Sequence, residues 1–414
     1  MRWKAIGPGL LFAGAAVGVS HLVQATRAGA SFGLGLIVVV IVANIAKYPA
    51  FSFGPRYAAA TGCSLLEGYR RQGRWALAVY ALATLGTMFT VQAAVTFMTA
   101  GLAVAVFGLP LSPVIVAAGL LAACAGILAL GHYRWLDRIM KVVVSVLTVL
   151  TVVATVLILP RVDWSSFVVL PRGLGANVVA IGFVAALVGW MPSAIDISVW
   201  HSLWSLARRR DTGHEPSVSD AMLDFNIGYI GTALLAICFV VLGAGVLYGS
   251  GREVPSGAGA FAVVVIDMYA EALGDWSRPL FGATALMVMF STTLTVVDGF
   301  PRAISALVAR VREPEEPGSD TEIEHRLGYW SAVLVLALGS LGILIGIRTR
   351  LLLLVDIATI LSFLTAPVLA SLNHRAMVTT DRPPGFGMRL YSLLSIAGLS
   401  VFAVYYLYLR LFGG

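Results

Sequence analysis

Gly189-Trp190-Met191-Pro192-Ser193-Ala194-Ile195-Asp196 interrupts an apolar stretch and decides the fold. Glycine and proline weaken a helix, and this segment ends on a carboxylate, so a membrane span breaks near its middle beside a charge. Gly14-Ala15-Ala16-Val17-Gly18-Val19-Ser20-His21 repeats the arrangement nearer the N-terminus, and a shift of 174 residues lays Gly18 on Pro192. Unwinding at mid-membrane frees N–H and C=O groups that persist only where a ligand, water or a neighbouring helix satisfies them. Either break alone also fits a kink or a close helix contact. Matched breaks in two halves of a chain fit an inverted-repeat transporter with discontinuous helices.

The rest of the chain supports a membrane setting. Of 414 residues, 59% are hydrophobic and only 12% charged, against about 25% charged in soluble domains; mean hydropathy is +0.89. No Asp, Glu, Lys or Arg lies between Arg74 and Arg134, and Val142 to Leu159 is uncharged, which supplies spanning lengths several times over. A soluble enzyme, a nucleic-acid binder and a secreted disulfide scaffold are excluded. The net charge of +7 sits in short connectors and reads as a topology signal. Cys63, Cys124 and Cys238 lack metal-site spacing and are expected to be reduced packing residues. Met1 to Lys4 and the apolar stretch behind it read as an uncleaved first span rather than a signal peptide.

Eleven spans are expected, beginning near Ala5, Leu34, Trp75, Ser112, Arg138, Ala176, Ala221, Pro279, Leu327, Leu351 and Leu390. The fold class is thus an all-α polytopic membrane protein of two inverted five-helix repeats, 1–160 and 176–373, with helices 1 and 6 broken and an additional C-terminal helix, 388–414. A cytoplasmic N-terminus puts 19 of the 28 Lys and Arg inside and 8 outside, with Lys47 inside span two. The positive-inside rule favours that orientation, in a bacterial inner membrane. The acidic, Pro-rich connector Glu313 to Glu324 is expected to be a mobile inner loop, and Phe261 to Leu273 an amphipathic outer helix.

Several short motifs resemble those of the natural resistance-associated macrophage protein (Nramp) family of divalent-metal transporters. They are Gly7-Pro8-Gly9-Leu10-Leu11, Ala28-Gly29-Ala30-Ser31-Phe32-Gly33, Phe107-Gly108-Leu109-Pro110-Leu111 and His201-Ser202. The resemblance implies the leucine-transporter-type fold. Where the family has Asp-Pro-Gly-Asn in span one, this chain has Gly18-Val19-Ser20-His21; where it has Met-Pro-His in span six, register falls on Ala194-Ile195-Asp196 or on Met191-Pro192. The family's acidic span-three positions fall on Gln92 and Val95.

Asp196 is the leading site residue, since a carboxylate at mid-bilayer costs about 2.5–3.5 kcal/mol on insertion scales and is retained for function or pairing. The alternative is a cap: Ser193-x-x-Asp196 has the spacing of a capping box. His21 suits a transition metal, or a bond to a neighbouring helix. Gly18, Val19, Ser20, Met191 and Ala194 complete the expected substrate site at the breaks, and the resemblance adds Asp356 in outer span ten. His201, Ser291, Thr292, Lys47 and Asp298 are candidates for a coupling-ion or proton path, with Lys47 and Asp298 a possible buried pair and Arg302 a rival partner for Asp298. Glu67, Arg70, Arg71 and Arg208 to Arg210 read as topology and headgroup contacts.

No nucleophile–base set, Walker motif or phosphate loop is visible, and no cofactor is expected. The expected function is Nramp-like inward secondary transport of a divalent cation by alternating access, coupled to protons and using Asp196 and His21 as metal ligands, in a monomer. The alternative is a sodium- or proton-coupled symporter of an amino acid or amine.

Overall fold

The structure, a computed structural model, describes residues 8–130, 133–169, 177–213, 215–317, 327–347 and 350–412. Span one is α1 (Pro8–Ala16), a π-helical turn (Ser20–Ala25) and α2 (Thr26–Phe32). Spans two to five are α3 (Ile37–Thr61), α5 (Arg74–Phe107), α6 (Pro113–Ala129) and α7 (Tyr133–Ile158), with the short α4 (Leu65–Gln72) joining α3 to α5. Span six is α8 (Val178–Gly189) plus α9 (Ile197–Thr212), and α10 (Val218–Val246) is span seven. A connector helix, α11 (Ala258–Leu273), precedes α12 (Ser277–Arg312), α13 (Leu327–Ile347), α14 (Leu351–Val378) and α15 (Phe386–Phe412). These make the eleven spans. The expected starts at Ala5 and Ala176, and Gly7, lie outside the described residues.

Local sequence explains the ends. Pro113 opens α6 behind Ser112, whose hydroxyl accepts from the Ile115 N–H, and the Asn177 side chain accepts from two N–H groups at the start of α8. Gly62 and Gly108 close α3 and α5 at φ of 69° and 59°, a conformation that costs other residues a clash.

Packing divides the spans into core and rim. The most apolar windows of α5 and α12 are 72% and 78% buried, against 28% or less for α7, α13 and α15, which face outward. Where α10 crosses span one, glycines let the backbones touch. A Cβ on Gly228 would lie 2.2 Å from the Gly9 carbonyl oxygen, and one on Gly243 2.3 Å from that of Thr26.

The structure corrects two expectations about the connectors. Residues 313–317 dock on α4 rather than hanging free: the Glu315 carboxylate accepts from the Ser64 N–H at 2.9 Å and its hydroxyl at 2.7 Å. Residues 318–324 of that connector lie outside the described residues. Glu67 is not a headgroup contact but a buried hub, taking two bonds from Arg70, one from Arg71 and one from the Glu315 N–H. Phe261 to Leu273 is helical, as expected, within α11.

Candidate functional site

The two breaks differ in length. Span one is open only over residues 17 and 18, and the His21 and Leu22 N–H groups already return to the Gly18 carbonyl. Span six is open over residues 190–196. Between them lies a cavity of about 30 Å³ lined by Ala15, Ala16, Ser20, Val91, Val95, Trp190, Ser193, Ala194, Asp196, Trp200, Thr292 and Phe300, among others. At about 10–15 Å³ per water, it has room for a small ion and a water, and no more.

Among the described residues Asp196 is its one carboxylate. The residue stands at the N-cap position of α9, yet its side chain makes no cap bond. It is 2% exposed, and Oδ1 has no hydrogen-bond partner among the described residues. Thr87 of α5 stands beside it as a hydrogen-bond partner. The positive end of the α9 dipole stabilises the charge without using the orphan oxygen. A buried carboxylate at a cavity with one oxygen unused among the described residues has spare capacity to accept a hydrogen bond or meet a cation.

His21 does not join it. A carbonyl only accepts, so Nε2 carries the ring proton and donates to the Thr232 carbonyl at 2.9 Å, while Nδ1 lies 2.7 Å from the Ser20 hydroxyl. The ring is fully buried against Phe239 of α10 and is absent from the cavity lining. Among the described residues no three His, Cys, Asp or Glu side chains gather to hold a metal. Of the other expected site residues, Ser20 and Ala194 reach the cavity with Val19; Gly18 packs on Thr292, and Met191 is buried nearby.

Asp356 is engaged elsewhere, near the start of α14. Arg27 of α2 grips it with both guanidinium nitrogens at 2.6 and 3.2 Å, and Gln24 bonds both partners. Arg27 also stacks over Phe183, 5.0 Å from the ring centroid. Span one is thereby clamped to α14 above the cavity.

Below the cavity, Phe12 of α1 meets Phe51, Phe225, Tyr229 and His201 at centroid separations of 5.5–5.9 Å. This aromatic layer separates the cavity from a second hollow of about 70 Å³ lined by Pro8, Pro55, His201, Ser205, Arg208, Arg209 and Asp224, among others. His201 is 1% exposed and neither ring nitrogen has a partner among the described residues. Its neighbours Ser198 and Ser202 are spent on structure: Ser198 Oγ accepts from Asn373, and Ser202 Oγ from the Leu65 N–H. Asp224 accepts from the Gly9 N–H at 2.6 Å, pinning the start of α1 to α10.

Lys47 and Asp298 are not partners. Asp298 takes both arms of Arg302 at 3.0 Å and the Tyr329 hydroxyl at 2.8 Å, and Lys47 points to the span-six break. The Thr292 hydroxyl lies 2.9 Å from the Gly14 carbonyl of span one and 3.1 Å from its own Val288 carbonyl, with Ser291 beside Gly14. Of the span-three positions, Val95 lines the cavity, while Gln92 bonds Thr96 and keeps a carbonyl oxygen unpartnered among the described residues. Sequence reading missed Arg27, Gln24, Thr87 and the Phe12 layer. Arg27 and Gln24 share a helix face at i, i+3, which was the available signal.

Comparison with known proteins follows the same lines. The family model described as natural resistance-associated macrophage protein-like matches residues 9–409. An uncharacterised protein of Pasteurella multocida (strain Pm70) is 34% identical over 413 residues, covering 98% of this chain and 92% of that protein. Among solved structures, the Eremococcus coleocola manganese transporter in complex with an aromatic bis-isothiourea substituted compound superposes with a TM-score of 0.71 at 13% identity, over 97% of this chain and 86% of that one. MhsT in complex with L-phenylalanine gives 0.67 at 13% identity, over 96% and 98%. At these identities the solved structures speak for the fold, broken first and sixth helices included. The chain is an integral multi-pass membrane protein and belongs to the Nramp-like family of transporters.

Proposed function

We propose that the chain moves a divalent metal cation into the cytoplasm by alternating access, with Asp196 as its charged ligand. One observation carries the reading: Asp196, buried with one oxygen unpartnered among the described residues, lines a cavity of ionic size at the junction of two broken helices. Ser20, Ser193 and Thr292 line the same cavity and are its hydroxyl-bearing residues. One carboxylate and neutral oxygens suit a hard, partly hydrated cation better than a soft one, so Mg²⁺ or Mn²⁺ fits this donor set better than Zn²⁺. The resemblance to a manganese transporter fold supports a metal as cargo.

In this account the Arg27–Asp356 clamp and the Phe12 layer alternate as outer and inner seals, with the repeats 1–160 and 176–373 as the rocking units. The Arg-rich end is cytoplasmic, the setting is a bacterial inner membrane and the working unit is a monomer. His201, below the Phe12 layer, stands where a released ion or an accompanying proton would pass.

A second reading has its own observation: Trp190, Trp200 and Phe300 wall the cavity around a lone acid. Aromatic faces beside a carboxylate also suit a small alkylammonium ion. The test is uptake of Mn²⁺, Mg²⁺, Ca²⁺ and methylammonium into proteoliposomes, with empty liposomes as baseline. Saturable metal flux supports the first reading, and saturable methylammonium flux with baseline metal flux replaces it with the second.

A further inference from the structure

Lys47 lies inside span two, and its surroundings are unusual for a buried ammonium. It is completely buried in α3, and its Nζ donates to the Gly189 carbonyl at 2.7 Å and the Ser193 carbonyl at 2.9 Å. Among the described residues no carboxylate lies within ion-pairing distance of it; Asp298, the nearest candidate by sequence reading, is held by Arg302.

Both acceptors belong to the span-six break. Gly189 is the last residue of α8, so its carbonyl has lost its helical partner and carries the negative end of the half-helix dipole. Ser193 lies in the unwound segment four residues on. Carbonyl oxygens at the C-terminal end of a half-helix, joined by one from unwound chain, are the donor set that holds a small bound cation in discontinuous-helix transporters. Here a covalently tethered ammonium takes that donor set.

We infer that Lys47 is a built-in cation: its ammonium permanently fills a carbonyl-lined monovalent-cation site at the span-six break, so that the break is held without a bound alkali ion. Lys47 does not line the Asp196 cavity, although Ser193 borders both that cavity and the Lys47 site. Its natural occupant would be a small monovalent cation, Na⁺ or an alkylammonium, if the tether were removed. The carbonyls of Gly189 and Ser193 are then unavailable to the transported ion, which leaves Asp196 as the charged partner of the cargo. The inference stands on the Lys47 contacts alone and does not require the cargo to be a metal.

The experiment removes the tether and supplies the cation in solution. Full-length Lys47→Ala and Lys47→Met are purified beside wild type, and thermal unfolding is recorded in equimolar chloride salts of sodium, potassium, ethylammonium and choline. Wild type should melt at one temperature in all four. Lys47→Ala should melt lower in choline and recover by several degrees in ethylammonium or sodium. In proteoliposomes its initial Mn²⁺ uptake should fall about tenfold, the effect of losing one charge-assisted contact, and return towards wild type with ethylammonium. Lys47→Met fills the space without the charge and should be impaired and refractory to ethylammonium. Melting of Lys47→Ala that no small cation raises above its choline value would overturn the inference. So would a folded Lys47→Met with wild-type stability, or a wild type that itself needs sodium. The melting arm needs no transport, so its outcome is independent of whether Mn²⁺ is carried.

Discussion

Arg27 and Asp356, 329 residues apart in the chain, meet fork to fork at 2.6 and 3.2 Å and close the bundle above the Asp196 cavity. The pair is partly shielded, with side-chain exposures of 13% and 32%, and Gln24 bonds both members. A half-exposed pair of this kind contributes about 1 kcal/mol, so its role is geometric rather than a large share of stability. It ties a half-helix that must move to a helix on the other side of the cavity.

If that clamp is the outer seal, Asp356→Asn and Arg27→Gln should leave the protein folded while raising access from the outer side. The measurement is the rate at which a membrane-impermeant thiol reagent modifies Ser20→Cys in each background. A rise of about five- to tenfold is expected from loss of a contact of this strength, with partial return in the exchanged pair Arg27→Asp/Asp356→Arg.

The Gly9–Gly228 contact makes a second prediction. A Cβ on Gly228 would sit 2.2 Å from the Gly9 carbonyl oxygen, and one on Gly9 2.1 Å from the Asp224 carbonyl oxygen. Backbone cannot yield as a flexible side chain can, so Gly228→Ala should push α1 off α10 and cost about 1–3 kcal/mol. Thermal unfolding should report the loss. Mn²⁺ uptake should fall further than stability alone accounts for, because α1 carries Phe12, the centre of the aromatic layer below the cavity.

The connector after α12 predicts a pH dependence. Burial would raise the Glu67 carboxyl, but the hydrogen bonds from Arg70, the Glu315 N–H and Arg71 outweigh it and hold the group below the usual carboxylate range. The unfolded chain therefore takes up this proton first as pH falls. The stability Glu67 contributes is present at neutral pH and is lost as pH drops from the ordinary carboxylate range through the depressed native value. Wild type should lose more melting temperature between neutral and acid pH than Glu67→Gln does. At neutral pH Glu67→Gln should itself be less stable by about 1–3 kcal/mol. Cys63 beside it is pushed up to about 11 by burial and by the negative Glu315, so it should react slowly with maleimide at neutral pH and faster in Glu315→Ala.

The breaks were legible in the sequence because glycine, proline and a charge at mid-span have few other uses, and the span starts fell within a few residues of those observed. The partners of the charged groups were not legible. Lys47 finds its acceptors 142 and 146 residues away, and both are backbone carbonyls, which leave no trace in side-chain identity. Asp196 read as the leading ligand with a cap as the alternative, since spacing alone cannot say whether a side chain turns back to its own helix. His21 satisfied the chemistry of a metal ligand, yet its position on the π-helical turn faces α10 rather than the cavity. The docking of Glu315 was hidden because an acidic, Pro-rich stretch has the composition of a free loop until the Ser64 N–H and hydroxyl at the start of α4 are seen to meet it.

The central claim is that Asp196 is the charged ligand of the transported cation. The measurement is initial-rate Mn²⁺ uptake into proteoliposomes holding equal amounts of wild type or Asp196→Asn, with thermal unfolding as the check on folding. The account predicts saturable uptake by wild type and a fall to the empty-liposome baseline in the variant, with its melting temperature preserved. Wild-type uptake in a folded Asp196→Asn would contradict it.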